Sequence, residues 1–359
     1  MNEQNPLGLK AIDHFEITCD NLKTPTHELI RRLGFTQTHW GDKKDVVVFN
    51  QGQITFTLNS NTDPESQSRK YFNDHGEGVS KISFLVDNVE HALSEAVKRG
   101  AKEVQNVQST VDAKGVYKTA AIQGFGDVVN EFVERPSGAF RSHYYRLPQD
   151  PDATPLSTRC SRIDHFTNNV PKGEMDHWVD FYKRIYGFVE TRYFDIKGVK
   201  TGLQSKVVQL ADNSIIIPIN EPEAEDGKSQ IQEFLDRHNG AGVQHIALMT
   251  PDIISTIADL QERDIKFLDI PSTYYEDIPA RGEKGGFKVT EDLSILEKHK
   301  LLIDGDTDGY LLQIFSDTYI GPLFFEYIQR KGHWGFGEGN FQALFDAIER
   351  DQIARGYLK

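Results

Sequence analysis

Apolar residues along this chain gather in short β-branched runs, separated by segments with helical spacing, and the order of runs and segments recurs. Residues 11–17 (Ala-Ile-Asp-His-Phe-Glu-Ile) and 162–168 (Arg-Ile-Asp-His-Phe-Thr-Asn) share Ile-Asp-His-Phe and read as strands. After each comes a helix-like segment that stops at Leu33-Gly34-Phe35 or Tyr186-Gly187-Phe188, where glycine suits a left-handed helix cap. Residues 76–84 parallel residues 240–248. Both of these strands lead into a helix, predicted over 89–99 and 253–263, and then into a short apolar or β-prone run. Matching strands close the halves at 131–135 (Glu-Phe-Val-Glu-Arg) and 326–330 (Glu-Tyr-Ile-Gln-Arg). The run at 214–219 is short and β-branched and reads as a buried strand.

A strand–helix–strands unit therefore occurs as two pairs, one pair per half. The turn at 304–309 (Asp-Gly-Asp-Thr-Asp-Gly) reads as a hairpin, which favours an open, antiparallel-rich sheet that curves around something. The pattern predicts a first domain over 1–145, a linker over 146–158 that carries three prolines, and a second domain over 159–359. In the tail, Phe341, Leu344, Phe345, Ile348 and Ile353 fall near helical spacing and predict a C-terminal helix over 340–357.

With 359 residues the chain has room for about two domains. Its net charge of −14 disfavours nucleic acid and anionic lipid as partners. No apolar run approaches the roughly 18 residues of a membrane span. The N-terminus lacks the layout of a secretory signal, and the two cysteines, Cys19 and Cys160, sit in different halves. Free thiols and a cytoplasmic location are the expectation.

The second half holds His165, His245 and Glu326 at equivalent points of its strands, in widely spaced order. A structural zinc site draws on close Cys or His pairs, and none is present. Three ligands from three strands of one curved sheet can converge on one face of a metal and leave the other face open. Two histidines and a carboxylate are the facial triad of non-haem Fe(II) oxygenases. A lone strand histidine is more often a hydrogen-bonded core or surface residue, so spacing alone does not decide the matter. The first half places His14, Lys81 and Glu131 at the matching positions. A lysine there cannot donate without losing its proton, so that half is expected to bind no metal and act as scaffold.

These residues resemble the 4-hydroxyphenylpyruvate dioxygenase family over nearly the whole chain. The specific segments are 163–166 (Ile-Asp-His-Phe), 218–222 (Pro-Ile-Asn-Glu-Pro), 228–232 (Lys-Ser-Gln-Ile-Gln), 240–247 (Gly-Ala-Gly-Val-Gln-His-Ile-Ala), 311–315 (Leu-Leu-Gln-Ile-Phe), 324–330 and 335–341 (Gly-Phe-Gly-Glu-Gly-Asn-Phe). The resemblance implies an α+β fold of paired βαβββ units, the vicinal-oxygen-chelate or glyoxalase-like architecture, in two open curved-sheet barrels. It implies one Fe(II) per chain on His165, His245 and Glu326. Polar groups facing substrate would be Ser205, Asn220, Gln230, Gln244, Gln313 and Asn340, and aromatic walls Phe315, Phe324, Phe336 and Phe341. Amide and hydroxyl groups suit a neutral phenol, and aromatics suit its ring. The glycine-rich run 332–339 lacks the lysine of a phosphate loop and is expected to be a hinge before a C-terminal lid.

The implied reaction takes 4-hydroxyphenylpyruvate and O2 to homogentisate and CO2, in tyrosine and phenylalanine catabolism. The implied assembly is a homo-oligomer, dimer or tetramer. Three rivals stay open. Hydroxymandelate synthase shares iron and substrate, but Pro218, Asn220 and Phe324 favour the dioxygenase branch. An extradiol ring-cleaving enzyme shares the triad. A non-catalytic small-ligand binder of the same superfold would lack the metal.

Overall fold

The computed structural model describes residues 4–136 (24 and 42 apart), 140, 144–147, 157–197, 201–223, 229–335, 337, 339, 340, 353 and 356. The first half runs β1 (Leu9–Thr18), α1 (Pro25–Arg32), β2 (Thr36–Trp40), β3 (Val46–Gln51), β4 (Ile54–Asn59), α2 (Gln67–His75), β5 (Gly78–Val86), α3 (Val89–Lys98), β6 (Glu103–Asp112), β7 (Gly115–Gln123), β8 (Val129–Glu134) and β9 (Tyr145–Arg146). The second runs β10 (Arg162–Asn169), α4 (Met175–Phe181), β11 (Val189–Lys197), β12 (Gly202–Gln209), β13 (Ile216–Pro222), α5 (Gln230–His238), β14 (Gly242–Met249) and α6 (Ile253–Glu262). It continues with α7 (Thr273–Glu276), α8 (Ile278–Gly285), α9 (Leu293–Lys298), β15 (Leu302–Asp306), β16 (Gly309–Phe315) and β17 (Phe324–Lys331).

The strands form two curled sheets, ordered β6-β7-β8-β5-β1-β4-β3-β2-β9 and β11-β12-β13-β10-β14-β17-β16-β15. In each, an antiparallel central pair (β1 with β5, β10 with β14) is flanked by parallel neighbours, β4 and β8 or β13 and β17. Each sheet is thus two βαβββ units back to back, the α+β architecture that the resemblance implied. The sequence set the boundaries well where caps are local. Asn88 and Asp252 side chains accept from the His91 and Ser255 amides at the starts of α3 and α6. Gly34 and Gly187 take the left-handed conformation at the two stops, φ 97° and 72°. β15 and β16 pair as a hairpin across the turn expected there. Three features went unforeseen. A π-turn over Tyr182–Tyr186 extends α4. Helices α7 to α9 are inserted before β15, in the second half only. Tyr145 and Arg146 pair with Trp40 and His39, so the first sheet reaches into the segment expected as linker. The C-terminal helix expected over 340–357 lies almost wholly outside the described residues.

Strand alternation decides which face does what. Phe15 of β1 meets Phe166 of β10 edge-on at 5.4 Å, and Phe56 meets Phe325 at 6.1 Å, so these rings join the two sheets. Such pairs are worth about 0.5–1.5 kcal/mol beyond their burial. Their neighbours, His14 and Glu16 in one half, His165 and Thr167 in the other, lie on the opposite faces. Both central strands also carry a register shift just before the histidine, between Ile12 and His14 and between Ile163 and His165. The extra residue is an aspartate in both.

The halves also meet at α5. His238 stacks on His75 with centroids 4.6 Å apart, and its Nε2 lies 2.8 Å from the Tyr71 hydroxyl. Burial, with His75 beside it, lowers the His238 pKa to about 4. The unfolded chain then binds a proton that the folded chain refuses between pH 6.5 and 4, so stability falls as pH drops through that window, by roughly 3 kcal/mol in all. Urea midpoints at pH 7 and pH 4.5 should show this fall, and a His238→Gln variant should show a smaller one.

Candidate metal centre and cleft

His165 on β10, His245 on β14 and Glu326 on β17 sit on three adjacent strands. Thr167 pairs with His245, and Ala247 with Glu326. The parity of this register turns all three side chains to one face. Their donor atoms all lie within 4.8 Å of one another, and all three residues are buried. Glu326 Oε2 is 3.2 Å from His165 Nε2 and 3.4 Å from His245 Nε2, and the two Nε2 atoms are 3.4 Å apart.

The imidazoles are aimed from behind. His165 Nδ1 donates to Asp164 Oδ2 at 2.9 Å, and His245 Nδ1 donates to Gln244 Oε1 at 3.0 Å. Each Nε2 lone pair is thereby turned toward Glu326, the arrangement in which outer partners fix a ligand histidine. Asp164 is itself gripped by Arg330, whose Nε and Nη2 donate to its two oxygens at 2.8 and 2.7 Å. Burial would push the Asp164 carboxyl up, but Arg330 and His165 hold it well below the usual range. Neither Asp164 nor Arg330 was picked out from the sequence. The signal was there: Asp-His recurs in both halves, and the arginine follows the glutamate by four residues in both.

The electrostatics ask for a cation. Burial raises the Glu326 carboxyl, yet the two imidazoles outweigh it and the pKa settles at about 2. Burial lowers His165, yet Glu326 and Asp164 bring it up to about 9. Burial lowers His245, and Glu326 only partly offsets this. A buried carboxylate facing two Nε2 atoms is a donor set of two neutral nitrogens and one anion. It fits a divalent ion of intermediate softness, and a proton on His165 would compete with that ion.

A cleft of about 460 Å3, its open mouth included, adjoins this cluster. His165, Thr167, Ile196, Leu203, Ser205, Pro218, Asn220, Gln230, Gln244 and His245 line it. Four of the polar residues expected to face a substrate are therefore together here. The alternation along β12 and β13, which pairs Ser205 with Asn220, is what brings those two to the same face. Thr167, whose hydroxyl lies 3.0 Å from His245 Nε2, was missed from the sequence, as were Ile196 and Leu203. Phe324 stacks on the His245 ring at 4.9 Å, and Phe315 meets Phe324 edge-on at 6.2 Å.

Of the expected substrate-facing residues that the structure describes, Gln313, Asn340, Phe315 and Phe324 do not line this cleft. Gln313 is fully buried, and both atoms of its amide lack a hydrogen-bond partner among the described residues. The backbone of Gly337 comes so close that a Cβ there would lie 2.2 Å from Gln313 Oε1. Asn340 is buried too, its Oδ1 accepting from the Tyr274 hydroxyl at 2.7 Å. Phe336 and Phe341 lie outside the described residues. Gly339 N donates to Asp304 Oδ2 at 3.0 Å, which ties the glycine-rich run to the β15–β16 hairpin.

In the first half the matching positions are Lys81 for His245, Ser83 for Ala247 and Glu16 for Thr167. Among the described residues only the second-half cluster has three donors close enough for a metal ion. No helix among them is long and apolar enough to cross a membrane, and both cysteines are buried and form no disulfide.

Residues 3–145 match the family model "Hydroxyphenylpyruvate dioxygenase, HPPD, N-terminal". Residues 162–278 match "Glyoxalase/Bleomycin resistance protein/Dioxygenase superfamily". The chain is 40% identical to a 4-hydroxyphenylpyruvate dioxygenase of Pseudomonas aeruginosa, over 100% of its own length and 98% of the relative's. It is 38% identical to protein MelA of Shewanella colwelliana, over 99% of both. Among solved structures, a mutant of 4-hydroxymandelate synthase from Streptomyces coelicolor aligns with a TM-score of 0.84 at 26% identity, covering 96% of this chain and 99% of that one.

Proposed function

We propose that this chain, which belongs to the 4-hydroxyphenylpyruvate dioxygenase family, converts 4-hydroxyphenylpyruvate and O2 to homogentisate and CO2. His165, His245 and Glu326 hold one Fe(II). The observation that carries the reading is the meeting of those three donors beside a cleft that the two histidines line and whose other polar groups are uncharged.

A ferrous ion held by His165, His245 and Glu326 would supply the redox chemistry and a binding place for the 2-oxo acid and O2. The chain supplies placement. Asp164 and Gln244 hold the two imidazoles in the tautomer that presents Nε2. Glu326, ionised at any pH well above about 2, supplies the single negative charge among the ligands. Ile196, Leu203 and Pro218 give the aromatic ring of the substrate an apolar wall, and Phe315 and Phe324 back the iron ligands and keep water from them. Ser205, Asn220 and Gln230 offer neutral hydrogen bonds to the phenol, so the ring is oriented without being ionised.

Asn220→Leu removes one such partner while keeping the volume. The expected result is a KM about 10-fold higher or more, since a buried polar group left unpaired costs about 1–3 kcal/mol. Steady-state oxygen uptake measures it, and a KM equal to that of the wild type would take Asn220 out of the substrate site.

The reading is tested by oxygen uptake with 4-hydroxyphenylpyruvate, with and without added Fe(II), followed by product analysis by mass and NMR. Iron-dependent uptake with homogentisate as product supports it. The likeness to 4-hydroxymandelate synthase keeps benzylic hydroxylation as the second reading, and hydroxymandelate as product would favour that one. No uptake and no bound iron would favour a non-catalytic binder.

A further inference from the structure

The first half keeps the plan of the metal centre in detail. His14 Nδ1 donates to Asp13 Oδ2 at 2.8 Å, and Arg135 donates to Asp13 Oδ1 at 2.6 Å, as Asp164 and Arg330 do for His165. His14 Nε2 lies 3.7 Å from Glu131 Oε2, the counterpart of the His165–Glu326 contact. Two of the three donors are therefore present, buried and pointed at each other. Two other side chains occupy the space between them. The Lys81 ammonium sits 3.7 Å from Glu131 and 3.6 Å from Glu16, and the Ser83 hydroxyl bridges the pair, donating to Glu131 at 2.7 Å and lying 3.1 Å from His14 Nε2. By register Lys81 stands where the second half has His245, and Ser83 where it has Ala247.

The geometry points to a latent divalent-cation site in the first half, built on His14 and Glu131 and plugged by the Lys81 ammonium and the Ser83 hydroxyl. The ammonium is a tethered cation. It supplies the positive charge that Glu16 and Glu131 need in a buried place, where unpaired carboxylates are costly. Its fixed charge repels a second cation from the same few ångströms, and the hydroxyl fills the approach between the two donors. On this account the first half excludes metal by occupation and not by loss of its scaffold. Imidazole at 81, with the hydroxyl gone, restores two nitrogens and a carboxylate on three adjacent strands, with Glu16 as an added anion. The ligand class is a borderline divalent ion that accepts mixed nitrogen and oxygen donors.

The inference takes from the proposed function that His165, His245 and Glu326 form the working centre, and the test separates the two. Wild type, K81H/S83A and K81H/S83A/H245A are each refolded from urea with and without Co(II), passed through gel filtration, and assayed for cobalt by mass spectrometry and for visible Co(II) absorption. The expected result is one more cobalt per chain in K81H/S83A than in wild type, with a new set of visible bands that survives H245A. A wild type that holds no cobalt, beside a double variant that holds one, would sink the second-half assignment and leave this one standing. A double variant that folds and holds no more cobalt than wild type overturns the inference. So does one that refolds neither with nor without Co(II), because the site was to accept an ion in place of the ammonium. K81Q should melt below wild type, the two glutamates having lost their cation. An unchanged melting temperature would remove the role given to Lys81.

Discussion

Glu326→Gln is expected to lose its metal and its turnover together while remaining folded. The carboxylate lies against both Nε2 atoms, at 3.2 and 3.4 Å. Its charge is the main influence that raises His165 against burial. An amide of the same shape keeps the packing, removes the charge and leaves two neutral imidazoles to hold a divalent ion in a buried place. Loss of an outer partner of a metal ligand costs roughly 10–100-fold in affinity, and loss of the charged ligand itself should exceed that. The measurement is iron per chain after anaerobic loading and gel filtration, beside oxygen uptake on the same sample. One retained iron with wild-type uptake would end the claim that this trio is the reaction centre.

Arg330→Met is expected to have the largest effect on stability. Arg330 and Asp164 are almost wholly buried and joined by two hydrogen bonds. Removing one member leaves Asp164 as an uncompensated buried carboxylate, which costs about 3–5 kcal/mol. The double change Asp164→Asn with Arg330→Met removes both charges and should recover much of that loss in urea unfolding. It should not recover metal affinity, because His165 Nδ1 would then face an amide in place of a carboxylate, at roughly 10–100-fold cost. The same pair stands in the first half as Asp13 and Arg135, where a lysine fills the centre. The recurrence points to a structural role for the pair at the bulged central strand, beside the support proposed for the metal. If Arg330→Met were as stable as wild type, the pair would have no such structural role.

Read by itself, the sequence determined the repeat, which rests on short-range pattern: alternation in the strands, glycine stops, and a histidine or glutamate at the same point of each half. The fold class and the choice of His165, His245 and Glu326 among the candidates came from the family resemblance that those segments carry. Strand parity then has little freedom, since a one-residue slip would turn His165 or Glu326 out of the concavity and Phe166 or Phe325 out of the core. Capping is equally local: Asn88 and Asp252, which the structure shows accepting from the His91 and Ser255 amides, start α3 and α6 at the predicted positions 89 and 253.

Tertiary structure alone decided the rest, because it depends on which distant residues meet. Asp164 and Arg330 are 166 positions apart, and although Asp-His and the Glu-to-Arg spacing recur in both halves, that recurrence does not say that the two side chains meet. The stack of His75 on His238 forms only where the two halves dock. Gln313 and Gln230 were equal candidates by residue type, but register buried one beneath Gly337 and set the other at the cleft. Lys81 could be read from the chain as a non-ligand. That its ammonium lies between Glu16 and Glu131, a cation where the other half would place its ion, is a fact of three-dimensional placement.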